Sequence, residues 1–164
     1  MAHIGNPQDL PFSDYQALGQ FRYQIRRFLH FSEAAAQAED LEPQQHQMML
    51  AIRAWDEQDA PTIGSLAAHL LLKHHSAVGL VDRLADHGLV ERVRGDDDHR
   101  QVRVHLTAQG LAKLRRLTSA HREELRSSGP VLVGALDALL RGLAKDRAGK
   151  TAPTKGKGCH PKLP

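Results

Sequence analysis

The run 62–107, TIGSLAAHLLLKHHSAVGLVDRLADHGLVERVRGDDDHRQVRVHLT, decides the fold. Two short segments in it repeat apolar residues at helical spacing, and two later ones alternate, with a charged turn led by glycine between them. The order is helix, turn, helix, β-hairpin, that of a winged helix-turn-helix. The second helix is expected from about His75 to His87, because Ala77, Leu80, Val81 and Leu84 fall at i, i+3, i+4 and i+7 and make one inward stripe. The opposite face carries Ser76, Gly79, Asp82 and Arg83, with Lys73, His74 and His75 at its entrance. An inward stripe belongs to any small helical domain, so the helix alone does not speak of a ligand. The hairpin adds the discriminating feature. Leu89 to Arg94 and Gln101 to Leu106 alternate, with Val102, Val104 and Leu106 on one face and Arg103 and His105 on the other, as in a half-buried ribbon. Its tip is GDDDHR.

The run 80–110, LVDRLADHGLVERVRGDDDHRQVRVHLTAQG, resembles the recognition helix and wing of the MarR (multiple antibiotic resistance regulator) family of bacterial transcription factors. That family's wing holds an Asp-x-Arg element just before a Val-x-Val-x-Leu-Thr strand, and Asp98, His99 and Arg100 stand at that element. The resemblance covers about Leu41 to Leu117 by motif and the rest by helical pattern. It implies a mostly α (α+β) fold, a winged helix-turn-helix with a two-stranded wing on a dimerisation domain of N- and C-terminal helices. The expected division is 12–40 for a dimerisation helix, 41–107 for the DNA-binding domain, 108–147 for C-terminal dimerisation helices and 148–164 for a flexible basic tail.

Composition sets the outer bounds. At 164 residues the chain is long enough for one domain with a real core. Its one cysteine, Cys159, allows no internal disulfide, which suits a reducing cytosol. The start MAHIGNPQDLPF lacks a signal peptide's apolar run, and VLVGALDALL is too short to span a bilayer, so a cytoplasmic protein without a membrane partner is expected. Net charge misleads. The formal +3 arises because 145–164 carries +5 and the remainder −2. Distribution says more: Lys73 to Arg116 is net +3 while the rest of the body is net −5, so positive charge gathers on the suspected reading half.

Along the chain, Ser13 or Asp14 can cap a first helix to about Glu39, with Leu18, Phe21, Ile25, Phe28 and Leu29 at 3.6-type spacing. Pro43 opens a second helix, where Glu42 is a poor N-cap by the family's standard. Thr62 caps a short third helix to about Leu71. Thr107 caps a long helix carrying Leu111, Leu114, Leu117 and Leu125; Gly129 and Pro130 should break it, and a last leucine-striped helix should follow. Two apolar terminal helices suggest interdigitation across a two-fold axis.

The resemblance implies a homodimer that places two recognition helices in successive major grooves of a pseudo-palindromic operator, half-sites about 34 Å apart. Ser76, His74 and His75 can bond base edges or phosphate, and Val78 can meet a thymine methyl. Gly79 stands where relatives often have a larger polar residue, which leaves base preference open. Lys73 and Arg83 suit phosphate, Arg94 leads into the wing, and Arg100 can enter the minor groove with Asp98 fixing its guanidinium. The same resemblance implies a regulator, a repressor by expectation, released by a small aromatic or amphipathic acid near Arg27, His30, Arg53 and Trp55.

Four alternatives stand against it. Eleven histidines invite zinc sensing, with His69, His74 and His75 close in sequence and His30, His46, His105 and His121 able to join them. Metal-ligand spacing is absent from the sequence, so neither metal nor cofactor is expected. Cys159 in the tail makes a poor peroxide sensor. An enzyme lacks a phosphate loop, a nucleophile with a base or paired carboxylates outside the wing turn. A winged helix serving protein contact alone is the remaining class.

Overall fold

The computed structural model describes residues 10–55, 60–94 and 102–149, the last with side chains to 144. The order is α1 (Phe12–Ala38), α2 (Pro43–Ala54), α3 (Ile63–His69), α4 (His74–Asp86), β1 (Val90–Arg94), β2 (Val102–Leu106) and α5 (Ala108–Gly149). Among the described residues this is a winged helix fold, five helices with one antiparallel two-stranded sheet. The chain divides into two compact units. One is Arg27–Ser128; the other joins the outer part of α1 to α5 from Gly129 onward.

In the unit Arg27–Ser128 local chemistry sets each boundary. Gln45 at the third helical position accepts the backbone N–H of Glu42 at 2.8 Å, so α2 starts at Pro43 even though Glu42 is an indifferent cap. Thr62 accepts from Ser65 N at 3.1 Å while Ser65 Oγ accepts from Thr62 N at 3.0 Å, a reciprocal cap that starts α3. Thr107 Oγ1 accepts from Gly110 N at 3.0 Å and begins α5. Helix α4 ends at Gly88, whose φ of +67° lets its N–H reach Ala85 O at 2.8 Å and the next N–H reach Leu84 O at 2.9 Å.

The same wrap ends α3 without a glycine. Leu71 takes φ +55°, its N–H meeting Ala68 O at 3.2 Å and the following one meeting Ala67 O at 2.8 Å, while its side chain is 93% exposed. A Cβ in the left-handed region costs roughly 1–2 kcal/mol, and this side chain recovers little through burial. Leu71→Gly is therefore expected to raise the unfolding free energy by up to about 1 kcal/mol after glycine's own backbone entropy, read as a higher urea midpoint at unchanged m. A lower midpoint would refute the strain.

The core of this unit is one cluster around Met48, Met49, Leu66, Ala77, Leu80, Val81, Leu84, Leu89, Val104, Leu114 and Leu117. The alternation of the ribbon holds. Val90 pairs with Leu106, Arg92 with Val104 and Arg94 with Val102, so these six share one face. β2 is braced from its other edge by the bridge Thr62↔Arg103, by Val104 N to Pro61 O at 2.9 Å and by Arg103 Nη1 to Ala60 O at 2.8 Å.

Two expectations change. The break at Gly129–Pro130 does not occur: α5 is one helix of 42 residues with Pro130 inside it. A proline removes a single N–H and releases the carbonyl four residues back. Pro130 is exposed, so water can take that carbonyl, and Ser127 and Ser128 hydroxyls already bond Glu124 O at 3.0 and 2.9 Å one turn earlier. The compact unit Arg27–Ser128 also runs past 41–107, and within it the end of α1 and the start of α5 are tied together. Glu39 holds Arg116 through both oxygens at 2.8 and 2.6 Å, and Lys113 donates to the Glu39 carbonyl. The Arg116 hydrogen bond holds the Glu39 carboxyl below the usual carboxylate range.

In the other unit, Gln24 and Ala135 are buried, yet Phe12, Tyr15, Leu18, Val131, Val133, Leu140 and Leu143 are exposed.

Candidate nucleic-acid interface

Helix α4 seats Ala77, Leu80, Val81 and Leu84 in the core, and this fixes what its other face presents. Lys73, His74, His75 and Arg83 are exposed; Ser76, Val78, Gly79 and Asp82 are half-buried along the same outward face. Lys73, at the N-cap, makes no side-chain cap. Gly79 leaves room there: a Cβ would meet Arg83 Nη1 at 3.5 Å, an ordinary contact. Arg83 Nη2 lies 3.7 Å from Glu42 Oε2 with both side chains half-exposed or more, a pair too loose and wet to hold the guanidinium.

The wing stands beside this helix and is fastened to it. Arg92 sits on the ribbon face that Val104 buries, a position where alternation would place an apolar residue, and its guanidinium donates to Asp82 of α4. Helix α4 and the first wing strand are thereby linked by a charged hydrogen bond at their exposed margin. Sequence reading missed this pairing, although a charge at an inward strand position was a signal that a partner was needed. Arg94 is exposed at the end of β1. Asp98 and Arg100, at the tip, lie outside the described residues, as do the tail and Cys159.

The suggested effector residues separate into two groups. Arg53 and Trp55 line one cavity of about 290 Å³ with Ile52, Val104 and Leu111. Arg53 also borders a second of about 550 Å³, lined otherwise by α5, with Leu111, Leu114, Arg115, Arg122, Glu123 and Arg126 among its residues. Arg27 and His30 are exposed on α1 and line neither cavity. Of the histidines, His69 stands edge-on to Trp55 at 5.6 Å, whereas His46 and His121 lie 4.9 Å apart elsewhere. Among the described residues no three His, Cys, Asp or Glu side chains converge as a metal would need.

The sequence model of the MarR family matches residues 39–101, the segment from just after α1 to just before β2. Over those residues the chain is similar to the MarR family. An HTH-type transcriptional regulator of Bacillus subtilis (strain 168), YsmB, is 35% identical over 65 residues, which are 40% of this chain and 44% of that one. The chain thus matches less than half the length of that relative. Two solved structures carry the same fold across nearly their whole length. AbsC, a MarR family transcriptional regulator from Streptomyces coelicolor, superposes with a TM-score of 0.67 at 21% identity, over 85% of this chain and 97% of that one. The S. aureus MepR–DNA complex superposes at 0.60 and 20% identity, over 87% and 96%. The MarR segment coincides with the part of the molecule in which α4 and the wing are fastened together. No described helix is long and apolar enough to cross a membrane.

Proposed function

We propose that this chain is a sequence-specific, duplex-DNA-binding transcriptional regulator, a repressor acting as a homodimer on a pseudo-palindromic operator. The observation that carries the reading is the pairing of an exposed polar face on α4 with a ribbon held against that helix by Arg92 and Asp82. One such rigid unit suits one major groove and the minor groove next to it. MepR, with the same fold, is named as a DNA complex. Ser76, His74, His75 and Val78 would face base edges; Lys73, Arg83 and Arg94 would take phosphates. The exposed apolar side chains of the outer α1 and late α5, from Phe12 to Leu18 and from Val131 to Leu143, are the surface a second copy would cover.

Selecting bound duplexes from a random library with purified protein tests the proposal. A two-fold symmetric motif with half-sites near 34 Å, about one helical turn, is expected; no enriched motif, or an asymmetric one, would overturn it. Arg100→Ala should weaken binding to the recovered duplex by about 1–3 kcal/mol, leaving the sedimentation of the protein unchanged. Equal affinity in a titration at fixed salt would remove Arg100 from the interface.

The effector reading rests on Arg53 and Trp55, since apolar walls with guanidinium groups at the rim suit an aromatic or amphipathic carboxylate. A panel of aromatic acids should include one that releases the duplex from wild type and loses that effect with Arg53→Ala.

A further inference from the structure

Three helices of the unit Arg27–Ser128 meet at two imidazoles that the DNA-facing reading does not use. His46 of α2 is 5% exposed, and its ring centroid lies 4.9 Å from that of His121 of α5. Phe28 and Phe31 of α1 stand edge-on to His121 at 5.8 and 5.4 Å. His121 Nδ1 is 2.7 Å from Leu117 O, and its Nε2 is 2.9 Å from Ser32 Oγ of α1. A carbonyl can only accept, so Nδ1 carries the hydrogen; in the neutral ring Nε2 is then the acceptor and Ser32 donates to it.

The surroundings suit neutral rings. Phe28, Phe31 and Ser32 face the pair from α1, and Leu117 from its own helix. The carboxylates nearest in sequence are Glu33 on α1, Glu39 and Glu42 between α1 and α2, and Glu123 and Glu124 on α5; the cations are Arg116 and Arg122 on α5 and Arg53 on α2. Glu39 is engaged by Arg116, and among the described residues no carboxylate ion-pairs with either ring. Two positive charges at this spacing would face each other without a counter-charge.

We propose that His46 and His121 form a proton-sensitive latch that joins α1, α2 and α5 while both rings are neutral and loosens on acidification, withdrawing the support α2 gives to α4 and β2. Only its consequence for DNA rests on the proposed function. A proton on either ring would set a cation against its neighbour at 4.9 Å between centroids, with no carboxylate paired to either ring to offset it. Burial, followed by His121, holds His46 below the ordinary imidazole range. The unfolded chain therefore binds more protons than the folded one below about pH 6.5, so stability is full above that value and falls as pH drops through the window beneath it.

Urea unfolding of the full chain at pH 7.5, 6.5 and 5.5 and constant ionic strength tests the latch in wild type, His46→Gln, His46→Phe and, as an exposed control, His30→Gln. Below pH 6.5 the folded-to-unfolded ratio of wild type and His30→Gln should fall more steeply than that of the His46 variants, by up to about tenfold per pH unit for one proton. Imidazole Cε1 resonances of wild type should show His46 titrating below the exposed histidines, which decides the matter if the variants fail to fold. On the duplex recovered by selection, acidification should weaken wild type relative to His46→Gln. The comparison is made between the two proteins at each pH, so that any pH dependence of the shared DNA contacts cancels. Identical pH slopes, or a His46 resonance that titrates with the exposed rings, would overturn the latch. Failure to bind any duplex at any pH would sink the proposed function and leave the unfolding and resonance arms to decide the latch.

Discussion

Gly110→Ala is expected to lower the unfolding free energy by about 3 kcal/mol, the upper range for forcing a methyl into a filled site. A Cβ at Gly110 would stand 2.0 Å from Leu89 O and 2.9 Å from Leu89 C. Both atoms are backbone, so no rotamer change relieves the clash; the start of α5 must withdraw from the residue that leads into β1. That withdrawal would strain Thr107 N to Leu89 O at 3.1 Å and Thr107 Oγ1 to Gly88 O at 2.7 Å, the bonds that hold α5 against the end of α4. Chemical denaturation reads the effect as a lowered midpoint. Gly79→Ala is the contrast: its Cβ meets open space and the far end of Arg83, and alanine inside a helix is worth roughly 0.5–1 kcal/mol over glycine. A Gly110→Ala protein as stable as wild type would mean that α5 does not pack against Leu89 as described.

Much of the reading unit was legible because its signals are local. The stripe Ala77, Leu80, Val81, Leu84 is buried as its spacing required, Thr62 and Thr107 cap the helices they precede, and the alternation of Val102, Val104 and Leu106 sets the face of the ribbon. What escaped depends on residues far apart or on conformations with no residue signature. Leu71 takes a left-handed turn that normally announces itself by glycine, and Pro130 announces a break that an exposed helix surface tolerates. Only the register puts Arg92 opposite Val104 and within reach of Asp82. His46 and His121 are 75 positions apart, and scattered histidines give no hint of which two will meet. For the effector site, Arg53 and Trp55 lie together because both close α2, whereas Arg27 and His30 share with them only a general suitability for acids.

Leu84→Ala should produce a loss of about 2–5 kcal/mol, the range for emptying a fully buried leucine site. Leu84 is completely buried on α4, within the one cluster that also contains Met49, Leu89 and Leu114 from three other parts of the unit. Its methyls are far from the face that carries Ser76 and Arg83, so base preference should survive where the protein remains folded. Duplex binding should instead fall in proportion to the folded fraction, most at high temperature or in denaturant. Leu84→Met keeps the volume and should cost less than about 1.5 kcal/mol. Denaturation of the three proteins at one protomer concentration separates the cases, since an associating chain gains apparent stability by mass action. A change of recovered motif with Leu84→Ala, at unchanged stability, would show that α4 is held by something other than this core. That outcome would detach the reading helix from the packing that orients it, because the same four side chains that bury its inner face determine which residues its outer face can offer to a groove.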